Sequence, residues 1–363
     1  MEKLVKTTSI LGFGSLVTSA LCALPAAAHA GAVFTSDNAT GGNHVVVFDH
    51  TERGALVPAG SIATGGTGTG AGLGSQGAVA LADGGRVLLV VNAGSNDVSS
   101  FVVDGSRLRL RSRVASGGAM PISVGAHGRL VYVLNAGGDG NVSGFRIADD
   151  GALVALAGST RALGADASGP AQVAIAPDGA AVVVTEKSTN AIDIYRVRED
   201  GLLDAAVHEP SVGETPFGFA FAPDGALIVS EAFGGAAGAG AVSSYDLDGR
   251  HADELSPISP SVGDEQAAPC WIAIGGGGRY AYTTNAGSNS ISTYRVRRDG
   301  ALELVGAPVA TATHPTDEAV AGDALFVVAN GAALQAFDLG RDGQPALTST
   351  ASVPAGSVGV AAN

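Results

Sequence analysis

Two glutamates stand directly after short apolar runs and are well placed to act on a proton. Glu186 follows residues 181–185, and Glu231 follows residues 226–230. A carboxylate at the end of a strand can act as a general base or orient a water molecule. The same position also suits a carboxylate that caps a neighbouring turn, and Lys187 offers Glu186 an alternative partner.

Other side chains have the chemistry to contact a ligand. Trp271 is the only tryptophan, and its indole could stack on a sugar or an aromatic ring, although a core position suits it equally well. His314 precedes Pro315 and could shuttle a proton, whereas a solvated loop histidine needs no such role. Cys270 lies in no cysteine–histidine signature, so we expect a buried, inert thiol.

The sequence shows no pattern of metal ligands, and we predict no resident metal. Asp317 and Glu318, placed beside Glu186 and Glu231, would be the alternative, because carboxylate oxygens can bind Ca²⁺. Successive strand residues point to opposite faces, so at most one of the adjacent pair faces a shared site. Paired zinc-ligand spacing is missing among the histidines after residue 30, which are His44, His50, His127, His208, His251 and His314.

An internal repeat determines where these residues lie. Asn-Ala-Gly-Ser-Asn occurs at residues 92–96 and again at 285–289, each time after an apolar run. Weaker copies bring the number of units to seven, 43 to 55 residues apart, with marker residues Asp37, Asn92, Asn135, Glu186, Glu231, Asn285 and Asn330. A period of this length is typical of propellers and other repeat folds.

One unit can be divided into four short strands. Residues 171–176 and 180–185 are apolar and flank a Pro-Asp-Gly turn, residues 191–197 alternate, and residues 202–207 close the unit. The 54 glycines and many Asp and Asn residues supply the positive-φ positions of tight turns. Four antiparallel strands per unit predict an all-β, seven-bladed β-propeller.

The two chain ends complement each other. The first unit begins at its second strand, whereas residues 356–361 have the pattern of an inner strand that no further unit follows. We therefore predict one propeller domain over residues 31–363, in which the C-terminal strand joins the N-terminal blade and closes the ring. The Gly- and Thr-rich residues 64–75 are expected to form a long loop between blades 1 and 2.

Residues 1–30 have the pattern of a cleaved secretory signal peptide. Lys3 and Lys6 precede a mostly apolar stretch over residues 10–24, and an Ala-x-Ala sequence ends before Gly31. The apolar stretch is short for a membrane span. These features predict a secreted or periplasmic protein.

The negative net charge of the chain limits the classes of molecule that it can bind. The formal net charge is −14, and removal of residues 1–30 changes it to −15. Such a surface repels nucleic acid and anionic lipid, so we expect neither as a partner. We expect the processed chain to be a monomer that binds a small molecule.

The repeat units resemble YVTN-type repeats, through residues 169–179, Val184-Thr185-Glu186 and residues 190–195. From residue 31 onward the chain resembles the seven-bladed lactonase family, which includes bacterial 6-phosphogluconolactonases and fungal carboxymuconate lactonizing enzymes. The resemblance implies a lactonase-like hydrolase and a role for the matching Glu186. Where the family commonly has Arg-His and a later Arg, this chain has Ala171, Gln172 and Ala286.

Strand geometry predicts which residues share one rim, because an inner strand starts where the second strand ends. Pro170, Pro216, Pro269 and Pro315 mark the inner-strand starts. A funnel mouth is therefore expected to contain Glu186 and Glu231 together with Gln172, Phe217, Cys270, Trp271, Thr316, Asp317 and Glu318. We predict substrate contacts from Gln172, Phe217, Trp271, His314 and Asp317.

The predicted rim carries many carboxylates and few cations, and recognition of phosphate or dicarboxylate favours bidentate arginine. A neutral or cationic ligand is therefore expected. The leading prediction is hydrolysis of a neutral lactone or related cyclic ester, with Glu186 and Glu231 as catalytic residues. One alternative is a non-catalytic propeller that binds a glycan, a peptide or a partner protein through its rim loops. Another is a hydrolase or scaffold that depends on Ca²⁺.

Overall fold

The computed structural model describes residue 1 and residues 31–52, 54–247, 254–329 and 332–363. The predicted signal peptide, apart from Met1, and the marker residue Asn330 lie outside the described residues. Within the described residues, 29 strands form seven antiparallel sheets. The prediction of a seven-bladed β-propeller is confirmed.

The first four blades contain the following strands. Blade 1 contains β1 (Gly31–Ser36), β2 (His44–His50), β3 (Leu56–Ala63) and the C-terminal β29 (Val358–Ala362). Blade 2 contains β4 (Val79–Ala82), β5 (Val87–Asn92), β6 (Asp97–Asp104) and β7 (Arg107–Ala115). Blade 3 contains β8 (Pro121–His127), β9 (Leu130–Asn135), β10 (Asn141–Ile147), β11 (Leu153–Ala155) and β12 (Arg161–Ala162). Blade 4 contains β13 (Pro170–Ile175), β14 (Ala181–Glu186), β15 (Ala191–Arg196) and β16 (Val207–Pro210).

The other three blades follow in chain order. Blade 5 contains β17 (Pro216–Phe221), β18 (Leu227–Glu231), β19 (Ala241–Leu247) and β20 (Leu255–Gly263), with a 3₁₀ turn at Phe233–Gly235. Blade 6 contains β21 (Pro269–Gly275), β22 (Tyr280–Asn285), β23 (Ser290–Val296) and β24 (Leu302–Ala310). Blade 7 contains β25 (Pro315–Ala321), β26 (Ala324–Ala329), β27 (Ala333–Leu339) and β28 (Pro345–Ser352).

The ring closes as predicted. β29 pairs antiparallel with β1, with Phe34 opposite Ala361, and so supplies the inner strand of blade 1. His50 also donates a hydrogen bond from Nε2 to the backbone oxygen of Asn363, 2.9 Å away. Because full closure leaves no inner edge unpaired, the fold avoids an exposed strand at its seam.

Two outer strands differ from the predicted four-strand pattern. In blade 4 the fourth strand is β16, whereas the sequence predicted residues 202–207; there, Leu203 forms only an isolated bridge to Val197. The outer strand pairs with residues 191–194, and this register places its start at Val207. Blade 3 has a fifth short strand, β12, which pairs with the same β10 strand as β11. Outer edges carry few buried side chains, so their pattern in the sequence is weak.

The hydrophobic core lies between neighbouring blades. Second strands such as β5, β14 and β22 are buried along their whole length, because each blade packs both of its faces against other blades. This explains their continuous apolar sequence, in place of the alternation that a one-sided sheet would show. Within the part of the chain that is described, no helix combines the length and the apolar character needed to span a bilayer.

Candidate active site

A cavity of about 750 Å³ opens at the axial mouth where inner strands start and second strands end. Its size falls in the range of small-molecule sites. The wall is mostly apolar, and its ligand-facing side chains include Lys187, Thr215, Phe217, Cys270, Trp271, His314 and Thr316. Three of the predicted substrate-contacting residues therefore line the cavity: Phe217, Trp271 and His314.

A repeated β-bulge aims inner-strand residues at this cavity. The register between inner and second strands shifts directly after the strand-opening proline in blades 3 to 7. An extra residue in one strand re-aims the local side chains. The residues that follow the prolines of blades 5, 6 and 7, which are Phe217, Cys270 and Thr316, all line the wall.

The residue before each of these prolines adopts a conformation with positive φ. Thr215, Ala268 and His314 have φ values of 59°, 53° and 55°, and all three line the cavity. Residues other than glycine seldom adopt this region, and such strain is concentrated at functional sites. The rim is therefore a strained part of the backbone as well as a concave one.

Lys187 brings a cation into the apolar wall. Its Nζ atom donates hydrogen bonds to the carbonyls of Gly74 (2.5 Å) and Pro170 (3.2 Å). It also lies 4.7 Å from the centroid of the Phe217 ring, a cation–π distance. Burial lowers the pKa of Lys187 to about 8. Two of its three protons are used, which leaves one for a ligand.

Aromatic packing surrounds the single described cysteine. Trp271 and Phe217 meet edge to face with centroids 5.3 Å apart, and Cys270 is buried beside them. Burial raises the pKa of the Cys270 thiol to about 12. A thiol with this pKa is a poor nucleophile at neutral pH.

A short segment between blades 1 and 2, residues 73–77, crosses the axis; we call it the axial segment. Ser75 donates from Oγ to the carbonyl of Ile122 in blade 3 and accepts at its carbonyl from Nε1 of Trp271 in blade 6. Gln76 bonds to both the N–H and the carbonyl of Ile272. The sequence predicted only a long loop here, and nothing in its Gly- and Thr-rich composition indicated these contacts.

Two predicted substrate contacts, Gln172 and Asp317, lie outside the cavity wall. Gln172 is buried and bridges blades 4 and 5, because its amide donates to the carbonyl of Phe219 (2.9 Å) and accepts from its N–H (2.7 Å). Asp317 is buried and accepts from the backbone N–H groups of Gly77 and Glu318. Both lie two residues after the strand-opening proline, and Trp271, at the same position in blade 6, does line the cavity.

Glu231, predicted as catalytic, is held in a closed network. Its carboxylate accepts hydrogen bonds from Gly213 N–H (2.9 Å), Ser243 Oγ (2.5 Å) and Ser261 Oγ (2.6 Å). The same marker position in blade 6, Asn285, likewise bonds across to its third strand. The repeat position thus ties the end of the second strand to the third strand, and Glu231 does not line the cavity.

Glu186, the other predicted catalytic residue, also lies beside the cavity wall and not on it. It is fully buried between Thr189, Asp193 and His208, and Thr189 Oγ1 donates to its Oε2 atom at 2.7 Å. Burial raises the pKa of Glu186, and the nearby Asp193 carboxylate raises it further. Lys187, the residue that follows it, points into the cavity instead.

The charge of the cavity differs from the expected one. Lys187 and His314 are the basic side chains on its wall. No carboxylate lines the cavity among the described residues. The acidic residues expected at the funnel mouth are buried away from the cavity, Glu186 and Glu231 within their own blades. For the same reason Asp317, Glu318, Glu186 and Glu231 do not come together as the Ca²⁺ site that the sequence offered as an alternative; the described residues contain one different potential metal group.

The fold defines this chain as a seven-bladed propeller, and its axial mouth holds a cavity of small-molecule size. A family profile described as "Lactonase, 7-bladed beta-propeller" matches residues 139–233 and 231–343. The chain belongs to this lactonase family. No curated protein matches the chain.

Solved structures share the fold at low sequence identity. A candidate 6-phosphogluconolactonase from Bacteroides uniformis is 21% identical, with a TM-score of 0.71 over 92% of this chain and 99% of that one. The periplasmic gluconolactonase PpgL of Pseudomonas aeruginosa is 18% identical, with a TM-score of 0.71 over 92% and 98% of the two chains. At these identities the likeness shows the fold.

Proposed function

We propose that this protein hydrolyses a neutral lactone or a related cyclic ester in the axial cavity. The observation that carries the proposal is the composition of the wall. Phe217 and Trp271 offer apolar faces for a ring, while Lys187 and His314 bring an ammonium and an imidazole to the same cavity. Family membership makes ester-ring opening the reaction that this combination would serve.

The chemistry assigns one task to each polar group. The oxygen of a water molecule attacks the carbonyl carbon, and the imidazole of His314 takes the proton that the water releases. The remaining N–H of Lys187 stabilises the negative charge that develops on the carbonyl oxygen. The ring C–O bond then breaks, the leaving oxygen takes the proton back from His314, and the product is a hydroxy acid.

The cavity favours a neutral substrate over an anionic one. Lys187 already donates to two backbone carbonyls, and no arginine lines the cavity among the described residues. Phosphate and carboxylate groups are bound most strongly by bidentate arginine. We further propose that the protein acts after export, as the Ala-x-Ala sequence before Gly31 indicates.

Proton release during lactone opening tests this function. We expect the protein to open neutral sugar lactones faster than phosphorylated ones. We expect Lys187→Met and His314→Ala each to lower kcat/KM about 100-fold, because each removes a group that acts in the transition state. Glu186→Gln is the control for the role that the sequence assigned to Glu186, and we expect it to cost less than Lys187→Met. The reverse order would return the catalytic role to Glu186.

One observation favours the binding propeller as a second candidate. The family's Arg-His pair is replaced here by Ala171 and Gln172, and the Gln172 amide is fully engaged by Phe219. If no lactone turns over but sugars shift the fluorescence of Trp271, this second function holds and hydrolysis does not.

A further inference from the structure

A second polar site lies at the rim of blade 4, outside the axial cavity. It consists of Glu186 at the end of β14, Asp193 on β15 and His208 on β16. One ligand atom from each residue lies within 4.8 Å of the other two. His208 Nδ1 is 2.7 Å from Asp193 Oδ1 and 3.9 Å from Glu186 Oε2. Antiparallel pairing of three adjacent strands brings the three residues together.

Hydrogen bonds from outside the group orient both carboxylates. Asp193 Oδ2 accepts from Gly164 N–H (2.6 Å) and from the Tyr195 hydroxyl (3.2 Å), which leaves Oδ1 facing His208. Glu186 Oε2 accepts from Thr189, whereas its Oε1 atom is buried and has no hydrogen-bond partner. Metal-binding carboxylates are commonly oriented by hydrogen bonds of this kind.

Two buried carboxylates and one imidazole meet in this group, an arrangement that a bound cation would stabilise. Glu186 and Asp193 are both fully buried, and His208 is the basic side chain that faces them. Buried charges need a partner or must be neutralised. In blade 6 the corresponding positions are Asn285 and Ser292, which are neutral and bond directly to each other. Blade 4 therefore departs from the repeat where it gathers two carboxylates and an imidazole.

Gly164, in the segment that connects blades 3 and 4, lies directly against the group. A Cβ atom at this glycine would lie 2.3 Å from His208 Nδ1 and 2.4 Å from Asp193 Oδ1. The backbone can therefore approach the group only because residue 164 has no side chain. Any residue with a side chain here would force the proposed ligands apart.

We propose that Glu186, Asp193 and His208 bind a divalent transition-metal ion such as Zn²⁺. Two carboxylate oxygens and one imidazole nitrogen are suitable ligands for zinc and its first-row neighbours. Half-exposed His208 leaves the remaining coordination positions open to water. The ion would tie the 163–169 connection to blade 4 and fix the strand end from which Lys187 enters the axial cavity. This site does not depend on the proposed hydrolysis.

Titration of Zn²⁺ into tag-free, chelator-treated full-length protein tests the site by calorimetry. We expect one equivalent to bind and the melting temperature to rise until one equivalent has been added. His208→Ala and Asp193→Asn should each weaken binding by at least about tenfold, because each removes a ligand. Gly164→Ala keeps all three ligands and should also weaken binding, because its methyl group displaces them. Replacement of Zn²⁺ by Co²⁺ should give visible absorption bands that the variants lose.

A matched control separates this site from adventitious binding. His44 Nδ1 lies 3.0 Å from Asp37 Oδ2 in a comparable histidine–aspartate pair that lacks a second carboxylate. His44→Ala should leave the zinc stoichiometry and affinity unchanged. Zinc binding that is absent from the wild type, or that survives in folded His208→Ala and Asp193→Asn, would overturn the proposal. So would an equal loss in His44→Ala.

Discussion

Asp317→Asn is expected to stabilise the protein at pH 8 and to leave its stability nearly unchanged at pH 5. Asp317 is buried near the seam of the ring, where it accepts hydrogen bonds from Gly77 N–H and Glu318 N–H. Burial raises its pKa from 3.8 to about 7. Asparagine keeps an acceptor oxygen for the shorter bond, from Glu318 N–H (2.8 Å), and gives up only the longer one from Gly77 (3.3 Å). Because it never ionises, it removes the cost of a buried charge.

The sign follows from proton binding. Between pH 4 and pH 7 the folded protein retains a proton on Asp317 that the unfolded chain has released. The free energy of unfolding therefore falls as the pH rises through this range and levels off above the folded-state pKa. A shift from 3.8 to about 7 is worth on the order of 4 kcal/mol at pH 7. Asp317→Asn should abolish this part of the pH dependence.

Urea unfolding at pH 5, 6, 7 and 8 measures the effect. Asp104→Asn serves as the control, because it removes the same charge from an exposed position. Glu318 lies next to Asp317, and burial raises its pKa as well, so Glu318→Gln is measured alongside to separate the two groups. Parallel stability curves for wild type and Asp317→Asn would show that Asp317 does not titrate as its burial requires.

The arrangement of the strands could be predicted from the sequence because turn residues and apolar runs recur at a fixed spacing. Pro170, Pro216, Pro269 and Pro315 do open inner strands, and Glu186 and Glu231 do end second strands. These positions depend on backbone features that each unit repeats. Only the outermost strands were misplaced, where few side chains are buried and the pattern is weak.

The directions of side chains at the rim could not be predicted in the same way. A β-bulge after each proline changes the side-chain alternation by one position, and no residue type marks it in the sequence. Phe217 and Thr316 face the cavity, whereas Gln172 and Asp317 do not, although Trp271 at their equivalent position does. Residues 186, 193 and 208 lie on three consecutive strands, and the cross-strand register brings them together. The sequence did contain one signal for this contact. Asn92 and Ser99 are seven residues apart, as are Asn285 and Ser292, and each pair forms a hydrogen bond between the second and third strands of its blade.

Gln76→Ala is expected to lower both stability and activity, whereas Gln172→Ala should lower stability alone. The two glutamines make matching contacts. Gln76 bonds to the N–H and carbonyl of Ile272 at 3.0 and 2.8 Å, and Gln172 bonds to those of Phe219 at 2.7 and 2.9 Å. Each substitution leaves two buried backbone groups without partners, which we expect to cost about 2 to 4 kcal/mol.

The difference lies in what each glutamine holds. Gln172 joins two inner strands that many other contacts already fix, whereas Gln76 anchors the axial segment. That segment carries Gly74 and Ser75, which line the cavity and bond to Lys187 and Trp271. Loss of its anchor should displace the partner carbonyl of Lys187, and we expect kcat/KM for the lactone to fall about tenfold or more, because small displacements at a reacting centre are costly.

Steady-state kinetics with urea unfolding on both variants distinguishes the two roles. Gln344→Ala is the control, since Gln344 also donates to a backbone carbonyl, that of Val305, but at the outer edge of the propeller. If Gln172→Ala raised KM as much as Gln76→Ala at equal stability, Gln172 would contact substrate, as its position in the repeat first indicated. If neither variant altered kinetics, the axial segment would be a structural bridge, and the cavity would keep its shape without it.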